Sequence, residues 1–386
     1  MFQAYDIRGI YPKEINEGTA KFFAIKFFNF LKKKGLNKDL LIAQDLRKSS
    51  IKLANSLIEN YPGNVKYLGI LPSPLFYYFC IKDKKAGIYI TASHLPKRYN
   101  GFKFLLPNNE WWRYSGKIER IEYKIKSKIK EKIDKDLYKE YLRDLKKFVK
   151  IKKEYKFNFE NNESPNIYLF KEIPIFFKNI KISKDAKIRL SSDFDGDRIE
   201  FYYKDKKLLP EEVLFMILRV SEYKKIGVPV YISRKILEIF KDRKFYFIPT
   251  GHYNFKNAYK KYNLDFGMET SFHICFFKEF KTEAPILAFF KILEFDEKFG
   301  IDKLKDLDIS IERFNIKKYI NIERFKRYLE KEGFKAKIFD GFYLYKDDCN
   351  IHIRESKTTK NLFRITIDAA SNKDLLKYKK LVMRII

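Results

Sequence analysis

Apolar positions three or four apart run through residues 17–34 (EGTAKFFAIKFFNFLKKK) and predict an amphipathic helix. It should stop at Gly35, a residue at ease in the left-handed conformation that ends helices. Short apolar runs at Leu40–Ala43, Val65–Leu71 and Gly87–Thr91 follow, separated by helix-length polar stretches. That alternation predicts parallel βαβ units. Between residues 117 and 150, Ile118, Ile121, Ile125, Ile129, Ile133, Leu137 and Tyr141 fall three or four apart, which predicts a helix closing the first unit. Residues 151–190 are ambiguous, with an apolar piece at Asn166–Phe170 and a loop at Glu160–Glu163. Strand–helix alternation resumes at Ile188–Ser192, Pro229–Ser233 and Phe245–Pro249. From about Asp308 the pattern changes: a helix at Ile322–Lys331 ends by Gly333, and alternating strands follow at Lys335–Tyr345 and Asn350–Arg354. The expected organisation is three α/β segments and a smaller α+β tail.

Length and composition narrow the class. At 386 residues the chain has room for about two to four domains. With 45% hydrophobic and 17% aromatic residues it is not a disordered chain. No run of about 18 apolar residues is present, so no membrane partner is expected. The start, MFQAYDIRGIYP, lacks the basic-then-apolar signal pattern. Cys80, Cys275 and Cys349 are too scattered for a disulfide framework or a zinc site. A soluble, cytoplasmic protein is expected. The net charge of +31 would attract nucleic acid or phosphorylated metabolites. However, the lysines are spread along the chain among acidic residues, a Lys/Glu- and Ile-rich composition also found in heat-adapted proteins. No compact nucleic-acid-binding signature is present, so nucleic acid is not the expected partner.

Five segments, forming four constellations, carry candidate chemistry. Thr91-Ala-Ser-His-Leu-Pro96-Lys-Arg-Tyr-Asn-Gly-Phe-Lys103 follows the run Gly87–Ile90, and the carboxyl end of a strand in an open α/β sheet is where ligands bind. His94, Arg98 and Lys103 would surround Ser93 with groups suited to a covalently held phosphate. Asp193-Phe-Asp-Gly-Asp-Arg198 places carboxylates at Asp193, Asp195 and Asp197; their burial needs a cation, and oxygen ligands in this number suit Mg²⁺. A calcium EF-hand loop does not fit, because its twelfth position is Lys204. Thr250-Gly-His-Tyr-Asn-Phe-Lys256 and Glu269-Thr-Ser-Phe-His273 supply groups that hold a polyol and move protons. Arg354-Glu-Ser-Lys-Thr-Thr359 makes an anion cradle. Three of the four histidines (His94, His252, His273) lie inside these segments, and His352 is two residues before Arg354.

The order of these segments, together with Tyr5-Asp-Ile-Arg-Gly9, Asp45-Leu-Arg47-Lys-Ser-Ser50 and Pro72-Ser-Pro74, resembles the α-D-phosphohexomutase family of phosphomannomutases and phosphoglucomutases. The resemblance spans nearly the whole chain. It implies an α/β fold of four domains: three of related α/β topology, the second shortened, and a C-terminal antiparallel α+β phosphate-binding domain. Placed on this chain, they run 1–140, 141–220, 221–307 and 308–386. It implies that Ser93 is the phosphorylated serine and that Asp193, Asp195 and Asp197 bind Mg²⁺ with a Ser93 phosphate oxygen. Arg8, Lys103, His273 and His94 then match positions of acid/base or transition-state roles. Tyr5, Arg198 and Lys256 match further cleft positions, Glu269 and Ser271 the pair reading the sugar hydroxyls. Arg354, Ser356, Lys357 and Thr358 match the loop holding the non-reacting phosphate.

The expected function is therefore interconversion of hexose 1- and 6-phosphates, of mannose or glucose, with hexose 1,6-bisphosphate as activator, by a monomer or homodimer. The alternatives are a phosphoglucosamine mutase, or a non-catalytic phosphosugar- or nucleic-acid-binding descendant of the fold. Several positions depart from the family pattern: Leu95 stands for Asn, Met268 and Phe272 for glycines, and Lys360 for Pro. Leu95 removes a polar side chain beside the nucleophile, but no glycine loss touches the nucleophile or the carboxylates, so retained activity is expected.

Overall fold

The computed structural model describes residues 6–119, 121–126, 129–160, 163–356 and 361–386. It divides into two units: residues 1–208 with 271–297, and residues 209–270 with 298–386. In the first unit, β1 (Ile7–Ile10) precedes α1 (Glu17–Lys33), which begins on a reciprocal cap between Asn16 and Thr19. Phe23, Phe27 and Leu31 form its fully buried face. They pack into an aromatic core in which Phe27 lies 5.1 Å and Phe104 5.0 Å from Trp112, centroid to centroid. β2 (Leu40–Gln44), α2 (Ser50–Asn60), β3 (Val65–Ile70), α3 (Ser73–Asp83), β4 (Ala86–Ile90) and β5 (Tyr99–Leu105) complete a sheet of order β1-β5-β4-β2-β3. β2 runs parallel to β3 and β4, while β5 is antiparallel to β4 and β1. The expected strands are all present. The carboxyl ends of β2, β3 and β4 therefore deliver Asp45, Ser73 and Ser93 to one edge.

The helix expected at 117–150 is not formed as such. Only α4 (Lys135–Lys146) is helical; the described residues of 117–134 carry no helix and cross α1 and α2. Along residues 121–126 burial alternates, with Ile121, Tyr123 and Ile125 turned in and Glu122, Lys124 and Lys126 exposed. A spacing of four is a multiple of two, so the isoleucines satisfy an extended period as well as a helical one. Tyr123 on the same inward face, and the β-branched residues, favour the extended form. The backbone polar groups of this strap are met by α2: Lys126 N donates to Glu59 at 3.1 Å and Ile129 N to Asn55 Oδ1 at 2.5 Å. A Cβ on Gly18 would sit 1.6 Å from Ile121 O, so only glycine lets the strap lie this close to α1.

The ambiguous stretch resolves into β6 (Tyr155–Phe159), α5 (Asn166–Phe176), β7 (Ile180–Ile182), β8 (Ile188–Ser192), β9 (Ile199–Tyr203) and β10 (Lys206–Lys207), in the order β10-β9-β8-β6-β7. The order β7-β6-β8-β9 repeats β3-β2-β4-β5. The shortening is located here: five residues join β7 to β8 where α3 joins β3 to β4.

The second unit opens with α6 (Pro210–Arg219), β11 (Lys225–Val228), α7 (Arg234–Ile239), β12 (Lys244–Phe247), α8 (His252–Tyr262) and β13 (Phe266–Met268). β11 is parallel to β12 and β13, the same arrangement a third time. The strand expected at Pro229–Ser233 lies four residues earlier, because Pro229 lacks the N–H a central strand needs. The chain returns to the first unit with β14 (Ile274–Phe276), antiparallel to β15 (Thr282–Glu283), and α9 (Pro285–Phe299). Phe289 and Phe290 of α9 pack on Phe157 and Phe177. The tail is an antiparallel sheet of order β16-β20-β19-β18-β17: β16 (Ser310–Lys317), then α10 (Ile322–Lys331), β17 (Lys335–Ile338), β18 (Phe342–Lys346), β19 (Cys349–Glu355), β20 (Leu362–Ala369) and α11 (Asn372–Ile385). Among the described residues no helix is long and apolar enough to cross a membrane.

Candidate active site

Ser93 closes the turn that leaves β4, with φ of 51°, a left-handed backbone that non-glycine residues adopt at a cost. Its N–H donates to Thr91 Oγ1 at 2.8 Å, and Thr91 in turn donates to the buried Asp45 at 2.8 Å. The Ser93 hydroxyl lies 3.5 Å from His94 Nδ1. Enclosure by protein, then the charges of Arg198 and Arg8, push the His94 pKa down to about 4. By surface area the residue is exposed, so water damps that shift, but its direction leaves a neutral, proton-accepting imidazole at pH 7.

The acidic segment joins β8 to β9. Gly196, with φ of 78°, provides the turn that lets the three aspartates converge, and their carboxylate oxygens lie within 4.8 Å of one another. Ser73 N reaches over from α3 to donate to Asp195 O at 2.8 Å, which ties the acidic loop to the first sheet. Lys103, on β5, is fully buried and donates to Asp195 at 2.7 Å and Asp197 at 3.1 Å. Burial opposes its charge, but the two carboxylates outweigh burial and hold its pKa well above the ordinary value. The Asp193 pKa is raised too, which favours its neutral form: burial, then Asp197 and Asp195, push its carboxyl well above the usual range. Asp193 Oδ2 and Asp195 Oδ1 are buried with no hydrogen-bond partner among the described residues. Three converging carboxylates, two of them with such an oxygen that accepts no hydrogen bond, fit a hard divalent cation of the Mg²⁺ class.

Arg8 and Arg198 flank this cluster. Arg8 is held by Asp6 at 2.6 Å, and the Asp195 and Asp197 charges act on it as well. Arg198 Nε donates to His273 Nε2 at 2.9 Å. An accepting Nε2 leaves the ring proton on Nδ1, which faces Asp197 Oδ1 at 3.8 Å; this tautomer follows from the partners. Phe272, preceding His273, has φ of 64°, the conformation glycine would supply without strain. Its ring is buried against Phe201, with Lys207 over it, so burial offsets the backbone cost. The first unit thus gathers Ser93, His94, Arg8, Lys103, Asp193, Asp195, Asp197, Arg198 and His273.

The second unit holds the other loops. Glu269 and Lys256 are buried, and Glu269 accepts from Gly251 N at 2.8 Å. Ser271 starts the segment that belongs to the first unit. Arg354, the last residue but one of β19, is buried, with Asp340 Oδ2 4.0 Å from its Nε. Asp340 also accepts from Thr250 N at 2.8 Å, so one carboxylate lies against both Thr250 and Arg354. Ser356 N donates to Leu362 O at 2.7 Å. Tyr5, Lys357 and Thr358 lie outside the described residues. Asp340 had a signal: Asp340-Gly341 between apolar runs is a hairpin-turn pair.

His352 buttresses that arrangement. It stacks 4.6 Å from Tyr231, whose hydroxyl is 2.7 Å from Thr250 Oγ1, and its Nε2 donates to Asp340 O at 3.1 Å. Burial, then Arg354, pushes its pKa down to about 4. The folded value lies below the unfolded value of about 6.5, so the unfolded chain binds the extra proton between those limits. Stability should fall as the pH drops from about 6.5 to 4. The melting midpoint of His352→Phe is expected to lose less between pH 7 and pH 5 than that of the native chain. Equal losses would contradict this assignment.

Comparison with known proteins adds an independent line. A family model described as phosphoglucomutase/phosphomannomutase, alpha/beta/alpha domain I, matches residues 1–132, and the domain III model of the same family matches residues 212–308. A phosphomannomutase of Methanocaldococcus jannaschii is 25% identical over 433 aligned residues, covering 97% of this chain and 95% of the relative. A phosphomannomutase/phosphoglucomutase of Pseudomonas putida is 28% identical over 143 residues, covering 32% of this chain and 31% of the relative. Among solved structures, a phosphoglucomutase/phosphomannomutase family protein from Burkholderia thailandensis superposes with a TM-score of 0.78 at 18% identity, over 99% of this chain and 96% of the other.

Proposed function

The chain belongs to the phosphoglucomutase/phosphomannomutase family of α-D-phosphohexomutase enzymes, and from that premise we propose that it interconverts hexose 1- and 6-phosphates, of mannose or glucose, through a phosphorylated Ser93. The observation that carries the reading is the convergence, in one unit, of a strained serine loop, three carboxylates and the Lys103 ammonium. Phosphoryl transfer asks a protein chiefly for positioning and charge stabilisation, and these groups supply both.

In the first half-reaction the phosphoryl group leaves Ser93 Oγ for a sugar hydroxyl: the P–Oγ bond breaks, a P–O(sugar) bond forms, and the hydroxyl proton passes by way of the His94 imidazole to the departing Ser93 Oγ. Asp193, Asp195 and Asp197 would hold Mg²⁺, which when bound neutralises charge on the transferring phosphoryl oxygens. Lys103 and Arg8 add fixed positive charge. The product is a hexose 1,6-bisphosphate, which turns over so that its other phosphate faces Ser93. In the return step Ser93 Oγ attacks that phosphate: a P–Oγ bond forms, the P–O(sugar) bond breaks, and the serine proton passes by way of His94 Nδ1, 3.5 Å away, to the freed sugar oxygen. Throughout, Arg354 and Ser356, with Lys357 and Thr358, hold the phosphate that is not reacting, while Glu269 and Ser271 read the hydroxyls. Lys256, Tyr5 and Arg198 complete the substrate contacts, and the four-domain division at 140, 220 and 307 belongs to the same reading.

A coupled mutase assay with Mg²⁺ and a hexose 1,6-bisphosphate primer tests it. Turnover of mannose or glucose 1-phosphate is expected. Turnover of glucosamine 1-phosphate alone would move the assignment to that sugar, and no turnover of any of the three would overturn it.

A further inference from the structure

We propose that Arg47 is the positioning residue that holds the nucleophile loop and the metal loop in register; this rests on the mutase reading of the same site. The motif Asp45-Leu-Arg47 follows β2, next to β4 in the sheet, and Arg47 is buried with its side chain 3% exposed. Nε donates to Asp45 Oδ2 at 2.9 Å. Nη1 donates to Pro96 O at 2.9 Å and Tyr99 O at 3.2 Å, and Nη2 to Ser93 O at 2.6 Å and Leu95 O at 2.7 Å. All five N–H donors of the guanidinium are therefore used, three of them on backbone carbonyls of the loop that carries Ser93 and one on Tyr99, where that loop enters β5. Drawing the carbonyls of residues 93, 95, 96 and 99 toward one planar cation curls the loop around it. That supplies a reason for Ser93 to stay in its left-handed conformation.

The face of the same guanidinium lies 5.1 Å from the centroid of Phe194, the residue between Asp193 and Asp195. One side chain thus touches both the loop that would carry the phosphate and the loop that would carry the cation. With every donor engaged, Arg47 has none left for a substrate, so it acts through Ser93 and Phe194 rather than on the reacting atoms. Asp45 is its anchor, accepting also from Ser50 and from Thr91, the residue that receives Ser93 N–H. Lysine cannot substitute: it keeps the charge but has three donors, no fork and no planar face.

Two variants test this. Arg47→Lys is expected to fold and to exchange the amide hydrogens of residues 91–99 about tenfold faster, while strands away from the loop keep their protection. Its kcat should fall about 100-fold with KM changed less than about threefold, because a misplaced nucleophile slows the chemical step rather than weakening binding. Phe194→Leu removes only the ring: the 91–99 segment should keep its protection, while the Mg²⁺ concentration for half-maximal activity rises severalfold. Arg47→Lys with native exchange and kcat within threefold of the native protein would overturn the clamp. An unchanged Mg²⁺ requirement in Phe194→Leu would overturn the coupling to the metal loop. The exchange measurement does not depend on mutase activity. If the native chain shows no turnover, the mutase reading fails while the clamp is still decided.

Discussion

Ser93→Ala is expected to lose at least about 10⁴-fold in turnover, the scale on which removal of a covalent nucleophile acts, while keeping its affinity for phosphosugar within severalfold. The neighbouring Thr91 hydroxyl does not replace it, since Thr91 Oγ1 is committed to Asp45 and Ser93 N. The backbone at this position adds a second, independent expectation. Ser93 sits at φ of 51°, where a residue with a Cβ is strained by about 1–2 kcal/mol and glycine is not. Ser93→Gly should therefore be as inactive as the alanine variant yet lose less stability than loop substitutions usually do, and it can exceed the native chain. Calorimetry and a coupled assay on the same three preparations check both halves. Native-like turnover by either variant would remove Ser93 from the mechanism.

Lys103→Met is expected to cost about 3–5 kcal/mol of stability, since it leaves two buried carboxylates without the ammonium that balances them. Both partners are almost fully buried, so solvent does not screen the loss. A divalent cation can take over part of that balance. Saturating Mg²⁺ should raise the denaturation midpoint of Lys103→Met by more than it raises that of the native chain. Turnover should still fall steeply even with Mg²⁺, because the lost charge stabilised the transferring phosphoryl group. A variant as stable as the native chain, with an equal response to Mg²⁺, would contradict the pairing geometry.

The strands that carry the site were readable because each is a short apolar run ended by a loop rich in polar residues: β2 before Asp45, β4 before Ser93, β8 before Asp193. The fourfold isoleucine spacing after residue 117 was not readable in the same way, since it fits an extended strap and a helix equally; the deciding groups, Gly18, Asn55 and Glu59, lie far off in sequence. The candidate site residues were chosen by type and order, and their bonding partners were not visible in the sequence. Lys103 lies 92 residues from Asp195, and Asp340 90 residues from Thr250, and no local pattern announces either bond. The role of Arg47 was hidden for a related reason: its partners are backbone carbonyls, which carry no sequence signature.

The central claim is that Ser93 gives its phosphate to the sugar and takes one back. The direct measurement is a single-turnover transfer: Ser93 is loaded with labelled phosphate from labelled hexose 1,6-bisphosphate, the excess is removed, and unlabelled mannose or glucose 1-phosphate is added with Mg²⁺. The account predicts that label leaves the Ser93 peptide as fast as the first turnover and appears in hexose bisphosphate and then hexose phosphate. Label that stays on Ser93 while 1-phosphate is converted to 6-phosphate would contradict it.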